Sequence, residues 1–87
     1  MTVQKSIQIS GHARLQMAER GVKESEVVAA IRQGDAEQAR AGRTMYRKTF
    51  AFRGVWRGRE YRLKQVAAVV DEEPTELVVV TVYAFYF

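Results

Sequence analysis

Glu76-Leu77-Val78-Val79-Val80-Thr81-Val82-Tyr83-Ala84-Phe85 is the strongest β signal in this chain of 87 residues. Val78, Val80, Val82 and Ala84 alternate with Leu77, Val79, Thr81, Tyr83 and Phe85, which sends the two sets to opposite faces of a strand. Both sets are largely apolar, so the strand is predicted to lie centrally, with a neighbour on each side.

Upstream, Asp71-Glu72-Glu73-Pro74-Thr75 reads as a turn, because acids and proline suit loops better than strand interiors. Before it, Glu60 to Val70 forms a strand offering Leu63, Val66, Ala68 and Val70 for burial. Thr44 to Phe52 forms another, and Arg53 to Gly58 makes the turn between them, with Gly54 and Gly58 flanking Val55-Trp56-Arg57. Asp35 to Gly42 is polar and alanine-rich; it has the composition for another helical turn, and is read as a connector into the sheet.

The front of the chain has helical punctuation. Ser10 caps a helix over about Gly11 to Arg20 and Gly21 closes it. Its apolar side chains do not settle on one stripe: at about 100° per residue from His12, Ala13 and Met17 lie near 100° and 140°, but Ala18 and Leu15 lie near 240° and 300°. A second helix opens on Lys23-Glu24-Ser25-Glu26, carries Val27, Val28 and Ile31 at helical spacing, and ends at Gly34. Ile7 and Ile9 alternate with polar residues and fit either a short leading strand or a hydrophobic lead-in to the first helix, and the lead-in is favoured. The expected fold is α+β, one domain over residues 1–87. A helical hairpin at about 11–34 packs on one face of a three- to four-stranded antiparallel sheet at about 43–86.

Composition narrows function more by exclusion than by motif. Hydrophobic residues make up 47% and charged residues 28%, the balance of a folded globular chain. Cysteine is absent, which removes disulfides, thiolate metal sites and a cysteine nucleophile. A single histidine and scattered carboxylates give no metal-ligand spacing, so no metal or cofactor is expected. Met1 to Gln8 has no apolar signal core, and Val66 to Val70 and Leu77 to Val80 are too short to span a bilayer. A cytoplasmic protein without membrane attachment is expected.

Charge is unevenly placed. The formal net charge is +4, but Arg40 to Lys64 holds nine basic residues against Glu60 alone. Arg47, Lys48, Arg53, Arg57, Arg59, Arg62 and Lys64 interleave with Tyr46, Phe50, Phe52, Trp56 and Tyr61. This pattern supplies cations for phosphates and ring faces for unstacked bases. It is equally the pattern of a solvated arginine face over buried aromatics.

His12 is the chain's sole imidazole. Near a helix N-terminus the macrodipole disfavours imidazolium, which suits a general base. Gln16 and Arg20 follow at i+4 and i+8, each advancing about 40°, so the three form one polar stripe. The bland alternative is an imidazole packed at a helix end and an arginine bound to carbonyls of its own last turn. Thr81 and Tyr83 share a strand face, and their hydroxyls could bond a substrate or cap a core. Ala84-Phe85-Tyr86-Phe87 is an apolar end that invites a homodimer through the C-terminal strand.

The combination of His12-Ala13, Met17, Arg20-Gly21-Val22, Glu26-Val27, Tyr46-Arg47-Lys48 and Val79-Val80-Thr81-Val82-Tyr83 resembles the small prokaryotic family called domain of unknown function 4258, over about Ser10 to Tyr83. Position 16 is Gln where many members carry Arg, and Lys23 stands where a Ser cap is usual. That family is grouped by fold with RelE-like and barnase-like ribonucleases. The resemblance implies metal-independent cleavage of RNA, or descent from enzymes that perform it. His12, Arg20, Lys48, Thr81 and Tyr83 are its matching positions with chemical side chains; His12, Arg20, Lys48 and Tyr83 are taken as catalytic and Thr81 as a substrate contact, joined by Gln16 of the helix stripe and by Arg47, Arg57, Arg59 and Arg62 of the basic hairpin. In that reading an RNA 2′-hydroxyl attacks the adjacent phosphate, His12 or Tyr83 serves as acid or base, and Arg20 and Lys48 stabilise developing charge. A cognate antitoxin or other acidic protein would be the partner. The competing expectation is a non-catalytic accessory module that binds nucleic acid or protein through the basic hairpin at 43–64.

Overall fold

The computed structural model describes residues 5–87. The reading of Met1 to Gln4 as part of a segment without a signal core lies outside them. The elements in order are β1 (Ser6–Ile9), α1 (Gly11–Arg20), α2 (Glu24–Gln33), β2 (Asp35–Gln38), a 3₁₀ turn (Arg40–Gly42), β3 (Thr44–Trp56), β4 (Arg59–Glu72) and β5 (Glu76–Tyr86). The strands form one five-stranded sheet in the order β1-β5-β4-β3-β2. Every pairing is antiparallel except β1 with β5. The chain is therefore α+β with two helices, but the sheet is mixed and larger than the three to four antiparallel strands expected.

Both additional strands are short and lack a periodic signature of their own. Ile7 and Ile9 are not a lead-in: they pair with Leu77 and Val79 and pack against the core. Two apolar residues in four are too few for alternation to separate a strand from a lead. Asp35 to Gly42 is not a plain connector either. Its first four residues are all exposed and pair with Thr44 to Arg47, so β2 is held by backbone hydrogen bonds and polar contacts rather than burial. Nothing in its hydrophobic pattern announces that.

The helices follow local rules. The Ser10 hydroxyl accepts from the Ala13 N–H at 3.1 Å, and Gly21 ends α1 at φ 68°, where a side chain is disfavoured. In α2 the Glu26 carboxylate reaches back to accept from the Lys23 N–H at 2.9 Å, the carboxylate half of a capping box, while Lys23 supplies no side-chain cap. Packing resolves the ambiguous stripe of α1: Ala13 and Met17 are buried, while Leu15 is 66% exposed. With Val27, Ala30 and Ile31 of α2 they cover Val66, Ala68 and Val70 of β4 and Leu77, Val79 and Val82 of β5.

The β3–β4 hairpin is longer and its turn tighter than expected. β3 continues to Trp56, which pairs with Arg59, leaving a two-residue loop of Arg57 and Gly58 at φ 50° and 81°. Both loop residues have positive φ, as turns compatible with strand twist require. What looked like turn from Arg53 onward is instead an irregularity in the strand, between Ala51 and Gly54, with Arg53 itself at φ 48°.

A second irregularity corrects the reading of β5. Val69 pairs with Thr81 but Val70 pairs with Val79, so an extra residue is accommodated and the alternation changes phase. Leu77 and Val79 face the helices, and beyond the bulge Val82 and Ala84 join them. Val82 therefore does not share a face with Val78, and Thr81, Tyr83 and Phe85 turn away from the helices. β5 does have neighbours on both sides, but β1 flanks it only through Val79. No helix among the described residues is long and apolar enough to cross a membrane.

Candidate functional site

Beyond Val79 the outer edge of β5 has no strand beside it among the described residues, and side chains of α1 take over. Gln16 Oε1 accepts from the Val82 N–H at 2.8 Å, and Arg20 Nη1 donates to the Val82 carbonyl at 2.7 Å. Two residues at i and i+4 on one helix thus stand in for a strand and satisfy both backbone groups of Val82. The stripe read from the sequence is real, but its first task is to cover an edge that would otherwise pair with another chain. Arg20 also places its guanidinium 5.4 Å from the centre of the Tyr83 ring. A guanidinium has five N–H donors, so one bond to Val82 leaves others for a ligand. His12, one turn before Gln16, is exposed at the start of α1 and forms no hydrogen bond or ion pair among the described residues.

The helix-side end of the β3–β4 hairpin holds a constellation that composition did not reveal. Lys64 is buried, its Nζ bonded to the Gly21 carbonyl and 2.7 Å from Glu26 Oε1. Its ammonium lies 5.8 Å and 5.6 Å from the ring centres of Phe52 and Tyr86. Trp56 stacks on Tyr86 at 5.0 Å, and the Tyr86 hydroxyl donates to the Arg20 carbonyl at 2.6 Å. Burial, helped by the Glu26 carboxylate and opposed by Arg57, raises the Tyr86 phenol above its ordinary value of 10.0. Lys64 is thus not a free cation of the basic hairpin but the tie between the helical hairpin and the sheet. A signal was available: Val66, Ala68 and Val70 face inward, and Lys64 has the same parity.

The remaining candidates divide between the two faces of the sheet. Lys48 pairs with Val66, whose other neighbour is Ala84, so it lies on the helix side, 5.7 Å from the Phe50 ring. Arg47, Ala67 and Tyr83 pair across three strands on the open face. Tyr83 and Lys48 are therefore on opposite faces. Arg47 is held by Glu37 at 2.6 Å and by Gln65. Arg57 donates to the Glu19 carbonyl and lies over Trp56, and Arg59 lies over Tyr61. Arg62 and Arg53 line a shallow groove with Ala51, Leu63 and Phe87. Thr81 lies with Tyr83, Met45 and Val69 in a depression bordered by Arg40 and Arg43.

The open face has an aromatic stripe. Tyr83, Phe85 and Phe87 are 40%, 46% and 55% exposed, and the first two rings are stacked with centres 6.5 Å apart. Phe87 is fixed by paired backbone bonds with Leu63. Along the stripe Arg20 stands beside Tyr83, Arg40 and Arg43 border a depression with Tyr83 at one end, and Arg53 and Arg62 line a groove with Phe87 at the other.

The profile of a family described as Domain of unknown function (DUF4258) matches residues 9–84. The chain belongs to this family. The match takes in α1, α2, the hairpin and β5 through Ala84, so the edge cover and Tyr83 lie inside the DUF4258 region, while Phe85 and Phe87 lie beyond its end. Among curated proteins and among solved structures, nothing matches the chain.

Proposed function

We propose that this DUF4258 domain binds single-stranded RNA across the open face of its sheet. The observation that carries the reading is the stripe Tyr83, Phe85 and Phe87, aromatic rings exposed in water beside the guanidinium groups of Arg20, Arg53 and Arg62, which have no acid partner among the described residues. Alternate residues on a strand are about 6.8 Å apart. That spacing offers successive rings to successive unstacked bases, while Arg20, Arg53 and Arg62 meet the phosphates. Base–aromatic stacking contributes about 1–3 kcal/mol per base, and phosphate contacts make affinity fall with salt.

Fluorescence anisotropy with a labelled oligoribonucleotide tests this. Binding is expected to weaken about tenfold in Phe85→Ala, within the stacking range, and to lose salt dependence in Arg53→Glu/Arg62→Glu. An oligoribonucleotide that stays free at low salt sinks the proposal, as does affinity indifferent to Tyr83→Ala and Phe85→Ala. A dimer mass by light scattering, with Tyr83 and Phe85 covered by a second copy, also counts against it.

Cleavage is the second reading, favoured by the contact between Arg20 and Tyr83. Arg20 would stabilise charge on the phosphate, and Tyr83 or His12 would move the proton of an attacking 2′-hydroxyl. Lys48, on the far face, has no part in this version. Cyclic phosphate ends formed in the presence of chelator and lost in Tyr83→Phe are the expected signature. Intact RNA after prolonged incubation leaves the binding module alone.

A further inference from the structure

The turn after β2 does more than connect strands. Ala41 and Gly42 both adopt positive φ, at 59° and 72°, a costly conformation for alanine, and the Ala39 N–H closes the turn on the Arg43 carbonyl. This fold brings Arg40 and Arg43 to the open face, where with Met45, Val69, Thr81 and Tyr83 they border an open depression of about 320 Å³. Its size is that of a small-ligand pocket.

The lining is chemically two-sided. Met45 and Val69 make an apolar floor, whereas Arg40, Arg43 and the hydroxyls of Thr81 and Tyr83 supply donors. Arg43 is the unusual member. Its nearest acid, Asp71, stands 3.9 Å from Nε, beyond hydrogen-bond distance, and that Nε is buried without a partner. Its side chain is nevertheless 40% exposed, so the guanidinium has an open side. Nε itself is sealed from solvent, and the terminal N–H groups on the open side are the ones that can donate to a ligand oxygen.

We propose that this pocket holds one nucleoside monophosphate unit. Its phosphate meets Arg40, Arg43 and the two hydroxyls, and its sugar and base lie along Met45 and Val69. The proposal rests on the RNA reading in one respect, that the unit belongs to the bound strand. The pocket adjoins Tyr83, where the aromatic stripe begins, so it fixes one end of the strand and sets its direction.

The test is NMR titration of the full chain with uridine and adenosine 5′-monophosphate, and with inorganic phosphate alone. Amide shifts are expected at Arg40 to Arg43, Thr81 and Tyr83. Affinity should fall about tenfold in Arg43→Gln, the loss of a charge-assisted contact, and fall also in Thr81→Val, which keeps the side-chain shape. Both variants should keep the parent melting temperature within a few degrees. The proposal is overturned by silence at these amides up to about 10 mM nucleotide, a range where weak sites are visible. Shifts unchanged in both variants, or phosphate binding as tightly as the nucleotides, overturn it too. Anisotropy with the oligoribonucleotide separates the two ideas. RNA bound without nucleotide shifts at the pocket removes the pocket alone, and nucleotide bound without RNA removes the RNA reading and leaves the pocket.

Discussion

Lys64 and Glu26 meet as an ion pair, Nζ to Oε1 at 2.7 Å, buried at the lysine and partly exposed at the glutamate, and through it the sheet grips the junction between the two helices. The same carboxylate accepts from the Lys23 N–H, and the same ammonium reaches the Gly21 carbonyl. Removing one charge strands the other. Lys64→Met is expected to destabilise the fold by about 3 kcal/mol, the range for a broken buried pair. Lys64→Met/Glu26→Gln should recover part of that. Urea denaturation of the three variants measures both, and a single variant within about 0.5 kcal/mol of the parent, the scale of a neutral surface change, would show that the pair is dispensable.

Gly21 is required twice over. Its φ is 68°, and a Cβ there would lie 2.5 Å from the Trp56 ring. Gly21→Ala should cost about 1–2 kcal/mol from the left-handed backbone, with overpacking added. The Trp56 ring must shift to make room, so a red-shifted tryptophan emission should accompany the lowered melting temperature. Unchanged emission together with an unchanged melt would contradict this packing.

Tyr86 makes stability depend on alkaline pH. Its phenol is raised above 10.0 by burial first and by Glu26 second, so the folded state retains a proton that the unfolded chain releases. The contribution is complete below the unfolded value. It declines as pH rises from there through the higher folded value. Chemical denaturation between pH 9 and 12 should show a steeper loss of stability in the parent than in Tyr86→Phe, which has no phenol to titrate. Parallel curves would exclude the effect.

The edge cover on β5 is open to direct measurement. Gln16→Leu deletes the acceptor for the Val82 N–H. Exchange of that amide should quicken about fivefold, corresponding to roughly 1 kcal/mol for one hydrogen bond. Gln16→Leu/Arg20→Leu leaves both Val82 groups bare and should self-associate at concentrations where the parent does not. Sedimentation velocity distinguishes the two.

Legibility followed burial. Ser10, Gly21 and Gly34 mark helix ends through local backbone chemistry, and the long strands carry their own alternation. The alternation of Ile7 and Ile9 admits a strand at β1, but four residues hold too little pattern to decide it, and β2 gives no signal because it buries none of its side chains. The site divides the same way. Gln16 and Arg20 could be placed on one stripe with certainty of spacing, but not with knowledge of what the stripe meets. His12, Arg20, Lys48 and Tyr83 carry chemical side chains that sequence could only group by type. Parity across the sheet then separated Lys48 from Tyr83, and the bulge beside Val69 and Val70 decided which way Tyr83 points.

The amino-acid sequence by itself determined an α+β chain, its two capped helices, its three long strands, its basic middle and its likeness to the DUF4258 family. These are consequences of residue-level preferences and of periodicities that act over a few neighbours. Only the tertiary structure decided that Lys64 is a buried tie, that Arg20 and Gln16 guard an edge, and that Tyr83, Phe85 and Phe87 share an open face. A bulge of one residue reverses every side chain beyond it, and an ion pair between residues 26 and 64 depends on strands and helices far apart in the chain.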